Sequence, residues 1–138
     1  MKEVKIVLVD DHALFRNGLK GLLSMREGYC VVSEAGDGQE FLDMLPTTEA
    51  DVVFMDISMP NVGGEEATRG ALALRPDLKV ITLSMFGDEN YYTRMVEAGA
   101  KGFLLKDSSI EEVFGAVDAV MAGGDYFSPG LLSSMSNR

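Results

Sequence analysis

The sequence predicts an α/β domain built on an open, doubly wound, five-stranded parallel sheet in the order 2-1-3-4-5. Three observations point there. Short runs that are apolar throughout, rather than alternating with polar residues, indicate strands covered on both faces. Stretches with apolar residues at steps of three and four separate them, the spacing of amphipathic helices. The two kinds of segment alternate five times, which is the pattern of strand–helix units. Half of a βα barrel is the alternative, and it would leave sheet edges unpaired.

In chain order, Val4 to Asp10 is a β-branched run ending in acids, and His12 to Met25 places Leu14, Phe15, Leu19, Leu22 and Leu23 on one helical face. Tyr29 to Ala35 is the second strand, followed by a helix over Asp37 to Leu45 that carries Phe41, Leu42 and Leu45. Ala50 to Asp56 is the third strand, and Glu65 to Leu74 is a helix rich in Ala and Leu. Lys79 to Ser84 is the fourth strand. The helix over Asp88 to Ala98 carries Tyr91, Tyr92, Met95 and Val96 and stops at Gly99. Gly102 to Leu105 is the fifth strand. The last helix, Ser108 to Met121, opens on Ser108-Ser109-Ile110-Glu111, which reads as a capping box, and closes at Gly123-Gly124. Asp125 to Pro129 breaks the pattern, so residues 125–138 are expected to form a linker, short helix or tail behind a domain over residues 1–124.

A chain of 138 residues is one domain, large enough to bury about two-thirds of its surface without a disulfide or metal staple. Twelve Lys and Arg against 22 Asp and Glu leave a net charge of −10, and the pI is near 4.4. That balance argues against direct nucleic-acid binding, which depends on cationic neutralisation of phosphates. The single cysteine, Cys30, cannot form an internal disulfide, which fits a reducing compartment. No apolar run reaches membrane-spanning length, and the N-terminus lacks the h-region of a signal peptide. The expectation is a soluble, cytoplasmic protein with no membrane contact.

In an open parallel sheet, ligands bind at the carboxyl ends of the strands near the point where strand order reverses. The predicted order places that point between strands one and three, which end in Asp10-Asp11 and Asp56. Strand four ends in Ser84, and strand five runs into Lys106. Three carboxylates in one pocket repel each other unless a cation or raised pKa values relieve them. A hard divalent ion such as Mg²⁺ suits an all-oxygen site and leaves room for phosphate oxygens. A carboxylate beside it can act as nucleophile toward a phosphoryl group, with a lysine and a serine hydroxyl holding the phosphoryl oxygens. Individually these residues have plainer readings: Asp11 as a helix N-cap, Asp56 as a turn residue, Ser84 as a strand terminus, Lys106 as solvated surface. His12, the only histidine, reads as an exposed first-turn residue. It is the convergence of the acids, the hydroxyl and the lysine that carries the functional reading.

The same set, with Met59-Pro60 and Gly64 following Asp56 and Lys101-Gly102-Phe103 preceding Lys106, resembles the receiver domain of two-component response regulators. The stretches Asp11-His12-Ala13-Leu14-Phe15-Arg16-Asn17-Gly18-Leu19 and Gly124-Asp125-Tyr126-Phe127-Ser128-Pro129 are similar to the NarL/FixJ type, whose members usually carry a C-terminal helix-turn-helix DNA-binding domain. The resemblance implies a flavodoxin-like, CheY-like (βα)5 fold and a phosphorelay switch. It implies Asp56 as phospho-acceptor, Asp10 and Asp11 as the acidic pair supporting Mg²⁺, and the Ser58 main-chain carbonyl beside Asp56 as further metal ligands. Ser84 and Lys106 would stabilise the phosphoryl group, and Phe103 would be the aromatic that changes position on activation. The implied partners are a sensor histidine kinase and, on phosphorylation, a second copy of the chain. DNA would be reached only through an output domain absent from this chain, which is either a free-standing receiver or the receiver piece of a longer protein. Asp107 departs from the proline common in receivers, which removes proline's help for any cis bond there.

Two other function classes use similar parts. A phosphatase or phosphotransferase forming an aspartyl phosphate usually has an Asp-x-Asp pair after the first strand and an inserted cap; here the acids are adjacent and there is no such insertion. A degenerate interaction module can lose acids, hydroxyl or lysine, and here all are present. The expectation is a switch that catalyses only its own phosphorylation, not an enzyme acting on an external substrate.

Overall fold

The computed structural model describes residues 3–59, 61–85 and 89–127, with backbone only at 89 and 90. Pro60, Asp88 and residues 128–138 therefore lie outside the described residues, and the readings placed on them in the sequence are not addressed. The chain runs β1 (Val4–Val9), α1 (Ala13–Ser24), β2 (Tyr29–Ala35), α2 (Gly38–Met44) extended by a 3₁₀ turn at Leu45–Thr47, β3 (Val52–Asp56), α3 (Gly64–Leu74), β4 (Lys79–Ser84), α4 (Glu89–Ala98), β5 (Gly102–Leu105), α5 (Ile110–Met121) and β6 (Tyr126–Phe127). The sheet order is β2-β1-β3-β4-β5-β6, with every pairing parallel. The expected order 2-1-3-4-5 stands, and one strand is added to it. Tyr126 and Phe127 pair with Gly102 and Phe103, so these two residues of the expected tail extend the sheet edge.

The alternation of side chains along a strand divides the core into layers. Ile6, Leu8 and Phe54 face α1 and α5, meeting Leu19, Leu23, Val113, Val117 and Val120. Val7, Val9, Val53 and Met55 face the other way, against Phe41, Leu45, Ala67 and Ala71. Each fully buried aliphatic side chain stabilises the fold by roughly 1.5–3 kcal/mol relative to exposure, so the central strands are the least able to accept polar residues. A third, smaller cluster of Ile57, Met95, Ala100 and Phe103 lies at the strand ends, with Tyr92 and Phe127 against it. On α4, Met95 is buried, whereas Tyr91 and Val96 remain 37% and 40% exposed.

Two local readings shift. Helix α1 begins one residue later than expected: His12, not Asp11, occupies the N-cap and makes no side-chain cap bond, while the Asp10 carboxylate accepts the His12 N–H at 2.8 Å. The cap of α5 is Ser109, whose hydroxyl oxygen accepts the Glu112 N–H at 3.2 Å, one residue on from the Ser108–Glu111 pairing. Two serines followed by two glutamates satisfy the box in either register, and the turn after Lys106 selects the later one. No peptide bond among the described residues is cis. None of the described helices is long and apolar enough to cross a membrane.

Candidate functional site

Parallel pairing sets the carboxyl ends of β1, β3, β4 and β5 side by side, so residues far apart in sequence emerge at one edge. Asp10 follows β1 directly and is anchored by its own N–H to the Ala35 carbonyl at 3.0 Å. Asp56 ends β3 in register with Leu83, which places Ser84 one position further along the neighbouring strand. Asp10, Asp56 and Ser84 are all buried. The Lys106 main-chain N–H donates to the Ser84 carbonyl at 2.7 Å, tying the end of β5 to β4 and directing the lysine toward the acids. Its ammonium stands 2.8 Å from Asp10 Oδ2 and 3.5 Å from Asp56 Oδ2, and 4.8 Å from the centre of the Phe15 ring.

The turn after Asp56 is held on several sides. Ile57 N–H donates to Leu83 O at 3.2 Å, Gly64 N–H to Ile57 O at 2.9 Å, and Gly38 N–H to Val62 O at 3.1 Å. Asn61, at φ 65°, donates its side-chain amide to Asp37 at 3.1 Å. Gly64 is required where it stands: a Cβ there would fall on the Asp56 carbonyl oxygen and within 2.9 Å of Ile57 Cα. The start of α3 thus lies directly against the main chain of the acidic strand end.

Charge is unbalanced in this pocket. One oxygen each from Asp10, Asp11 and Asp56, together with one ring nitrogen of His12, lie within 4.8 Å of one another. Burial, and then the neighbouring Asp10 charge, push the Asp56 carboxyl up from 3.8 to about 7; Lys106 pulls the other way, and Asp11 adds to the rise. Asp56 Oδ2 makes no hydrogen bond despite its burial. A buried carboxylate in that condition, among two more acids, is short of positive charge. An all-oxygen set of carboxylates suits a hard divalent cation, so these residues fit Mg²⁺.

Asp10, Asp11, Asp56 and Lys106 are therefore brought together as the sequence suggested, with Ser84 on the adjacent strand end. Ser58 lies in the exposed turn two residues past Asp56. Phe103 is placed elsewhere: it is fully buried in the third cluster, its ring 5.8 Å from that of Tyr92.

A family model of the response regulator receiver domain matches residues 6–118. The chain belongs to that family. This receiver is 41% identical over 127 residues to the transcriptional regulatory protein DegU of Brevibacillus brevis, a match covering 92% of this chain and 54% of that protein. It is 38% identical over 133 residues to the response regulator GacA of Pseudomonas aeruginosa, covering 96% and 62% respectively. The receiver thus spans little more than half the length of these curated relatives. Among solved structures, a LuxR-family two-component response regulator from Aurantimonas sp. SI85-9A1 superposes with a TM-score of 0.93 at 33% identity, over 99% of this chain and 97% of that one. The signal receiver domain of a NarL response regulator from Mycobacterium tuberculosis gives 0.80 at 32% identity, over 85% and 94%. The NarL/FixJ type read from the motifs holds, and the similar structures add a LuxR-family regulator to it.

Two features of the receiver's pocket were not legible as functional in the sequence. The His12 ring, exposed as expected, nevertheless stands 3.2 Å from Asp10 Oδ1 and 3.4 Å from Asp11 Oδ1. Arg16, one helical turn further on, donates from Nη1 to the Asp10 carbonyl and from Nε to Glu34 Oε1 at 3.0 Å. Glu34 on β2 also receives Lys20 at 3.1 Å. Burial would raise its carboxyl pKa, but the hydrogen bonds from Lys20 and Arg16 win and hold it below the usual range. The signal was available in principle, since Arg16 follows His12 by four residues and so shares its helical face. Arg16 pins the acidic turn from behind without touching the pocket. Arg16→Ala is expected to weaken divalent-cation binding about tenfold, as loss of a supporting partner does at other metal sites. Arg16→Lys should recover part of the loss in a calorimetric titration. Unchanged affinity in Arg16→Ala would show that the turn holds itself.

Proposed function

We propose that this receiver is a phosphorylation switch in which Asp56 accepts a phosphoryl group from a sensor histidine kinase in a Mg²⁺-dependent step. The observation that carries this reading is the placement of Asp56: buried, raised in pKa, flanked by Asp10 and Asp11, and facing the Lys106 ammonium 3.5 Å away. Asp10, Asp11, Asp56 and the Ser58 carbonyl would hold the cation. When bound, it would supply positive charge that favours the ionised Asp56 and offsets the incoming phosphoryl oxygens.

An Asp56 carboxylate oxygen attacks phosphorus, the bond from phosphorus to the histidine nitrogen breaks, and an acyl phosphate forms with the electron pair leaving on that nitrogen. Lys106 moves its charge toward the new phosphoryl oxygens, while its contact to Asp10 keeps it desolvated and aimed. The Ser84 hydroxyl donates to a phosphoryl oxygen, and the resulting shift in the β4 end is passed to a surface formed by α4, β5 and α5. Part-exposed Tyr91 and Val96 on α4 supply apolar contact area there. The response controls an output domain, and the descriptions of relatives as transcriptional regulators favour one that binds DNA. A second copy of the chain would pair through the same response, in the cytoplasm, and no external substrate is turned over.

Incubation with Mg²⁺ and a small acyl-phosphate donor, followed by peptide mass mapping, tests the core of this proposal. The expected result is one phosphoryl group per chain, on the peptide carrying Asp56, and none in excess chelator. Label on another residue, or steady phosphate release from a range of phosphate esters, would overturn it.

A further inference from the structure

We infer that His12 supplies a nitrogen ligand to the acidic pocket, so that the site binds borderline transition ions such as Co²⁺, Ni²⁺ or Zn²⁺ through a set of donors that Mg²⁺ does not use. The inference rests on the reading of Asp10, Asp11 and Asp56 as the cation site and extends it to a fourth side chain and a different class of ion.

Distances make the case. Metal–ligand bonds of about 2.0–2.2 Å place adjacent ligands of a tetrahedral or octahedral shell roughly 3.0–3.4 Å apart. His12 Nδ1 stands 3.2 Å from Asp10 Oδ1 and 3.4 Å from Asp11 Oδ1 before any ion is considered. The His12 main chain is tied to the acids, its N–H donating to that same Asp10 oxygen at 2.8 Å. Asp56 belongs to the same cluster, one of its oxygens within 4.8 Å of the ring nitrogen, and its buried Oδ2 makes no hydrogen bond and has the Lys106 ammonium 3.5 Å away.

The nitrogen is also presented in a usable form. Nδ1 faces Lys106 Nζ at 3.2 Å as well as the two carboxylates, so in the tautomer protonated on Nε2 its lone pair is turned to the pocket side and accepts from the ammonium. That lone pair is what a metal would take. The His12 side chain is 62% exposed, leaving an open route for exchange with solvent. Imidazole is a good ligand for Zn²⁺, Ni²⁺ and Co²⁺ and a poor one for Mg²⁺, which prefers carboxylate, carbonyl and water oxygens. Selectivity between the two classes should therefore depend on His12 alone among the pocket residues.

Calorimetric titration of the whole chain with Co²⁺ and, separately, with Mg²⁺ tests this, together with the visible absorption of the Co²⁺-loaded protein. His12→Ala is expected to lower Co²⁺ affinity about tenfold or more and to shift the absorption toward an all-oxygen environment, with Mg²⁺ affinity changed less than about threefold. Asp11→Asn should weaken both ions. Equal weakening of both ions by His12→Ala would make the ring a structural support, and unaltered Co²⁺ affinity and spectrum would make it only an acceptor for Lys106; either result overturns the inference. Failure of the wild-type chain to bind either ion would overturn the cation site itself, which separates the two readings.

Discussion

Asp56→Asn is expected to abolish phosphoryl uptake and, in the metal-free protein, to raise stability at neutral and alkaline pH. The first effect follows from loss of the nucleophile in a nearly isosteric swap. The second follows from the sign of the pKa shift. The Asp56 carboxyl is raised in the folded state from 3.8 to about 7, chiefly by burial and then by Asp10, so the folded chain holds a proton that the unfolded chain has released across that interval. Stability must then fall as pH rises from about 4 through about 7, because the native state binds more protons than the unfolded one. Above that window the wild type carries the full penalty, and the Asn variant carries none of it. Asp11, with 34% of its side chain exposed, opens one wall of the pocket to water, which screens part of the repulsion. The expected gain from the swap at pH 8 is therefore about 1–3 kcal/mol rather than the full value of the shift. Denaturant melts at pH 5 and pH 8 in chelator check it: the variants should converge at the lower pH and separate at the higher. Mg²⁺ should then narrow the gap by stabilising the wild type more than the variant, which keeps Asp10 and Asp11 but loses one carboxylate; at a hundredfold excess over its Kd the wild type gains about 2.7 kcal/mol. Equal stability at both pH values would mean that Lys106 already balances the pocket.

The strands explain why the architecture was readable and the finer site was not. Tyr29–Ala35, Lys79–Ser84 and Gly102–Leu105 have the bounds expected of them; the last two are largely buried apolar runs between polar turns, and the half-buried edge strand Tyr29–Ala35 is bounded by Gly28 and Gly36. Strand order then follows from handedness, and with it the meeting of Asp10, Asp56 and Lys106. By contrast, β6 has only two residues, Tyr126 and Phe127, too few to show any period. Its pairing depends on β5 offering a free edge, which no local pattern records. His12 and Arg16 belong to the same class. Their contacts with Asp10, Asp11 and Glu34 arise from the angle at which α1 leaves the sheet. Phe103 shows the opposite limit. The motif names it as a switch residue, but only packing reveals that its ring already lies inside.

That burial gives Phe103 a packing role between the acceptor turn and α4. Phe103 shares a cluster with Ile57, the residue after Asp56, and with Met95 and Tyr92 on α4, and the Tyr92 ring in turn lies 5.3 Å from Phe127 on β6. A displacement of the acceptor turn could therefore reach α4 through this packed cluster as well as through the end of β4. Close-packed interiors transmit such shifts because they have few voids to absorb them. Phe103→Ala is expected to cost about 3–5 kcal/mol, the usual range for emptying a fully buried phenyl site. Phe103→Leu, which keeps most of the volume, should cost less than about 2 kcal/mol and remain folded. The leucine variant is the decisive one, since it should still take a phosphoryl group on Asp56. In wild type, phosphorylation is expected to change amide-exchange protection in both the 57–63 turn and α4. In Phe103→Leu the change in the turn should persist while the change in α4 shrinks by half or more, because the ring that packs on Tyr92 within the Ile57 cluster has gone. An undiminished α4 response would show that the signal leaves the pocket by the end of β4 and Ser84 instead, with Phe103 serving only to fill the core.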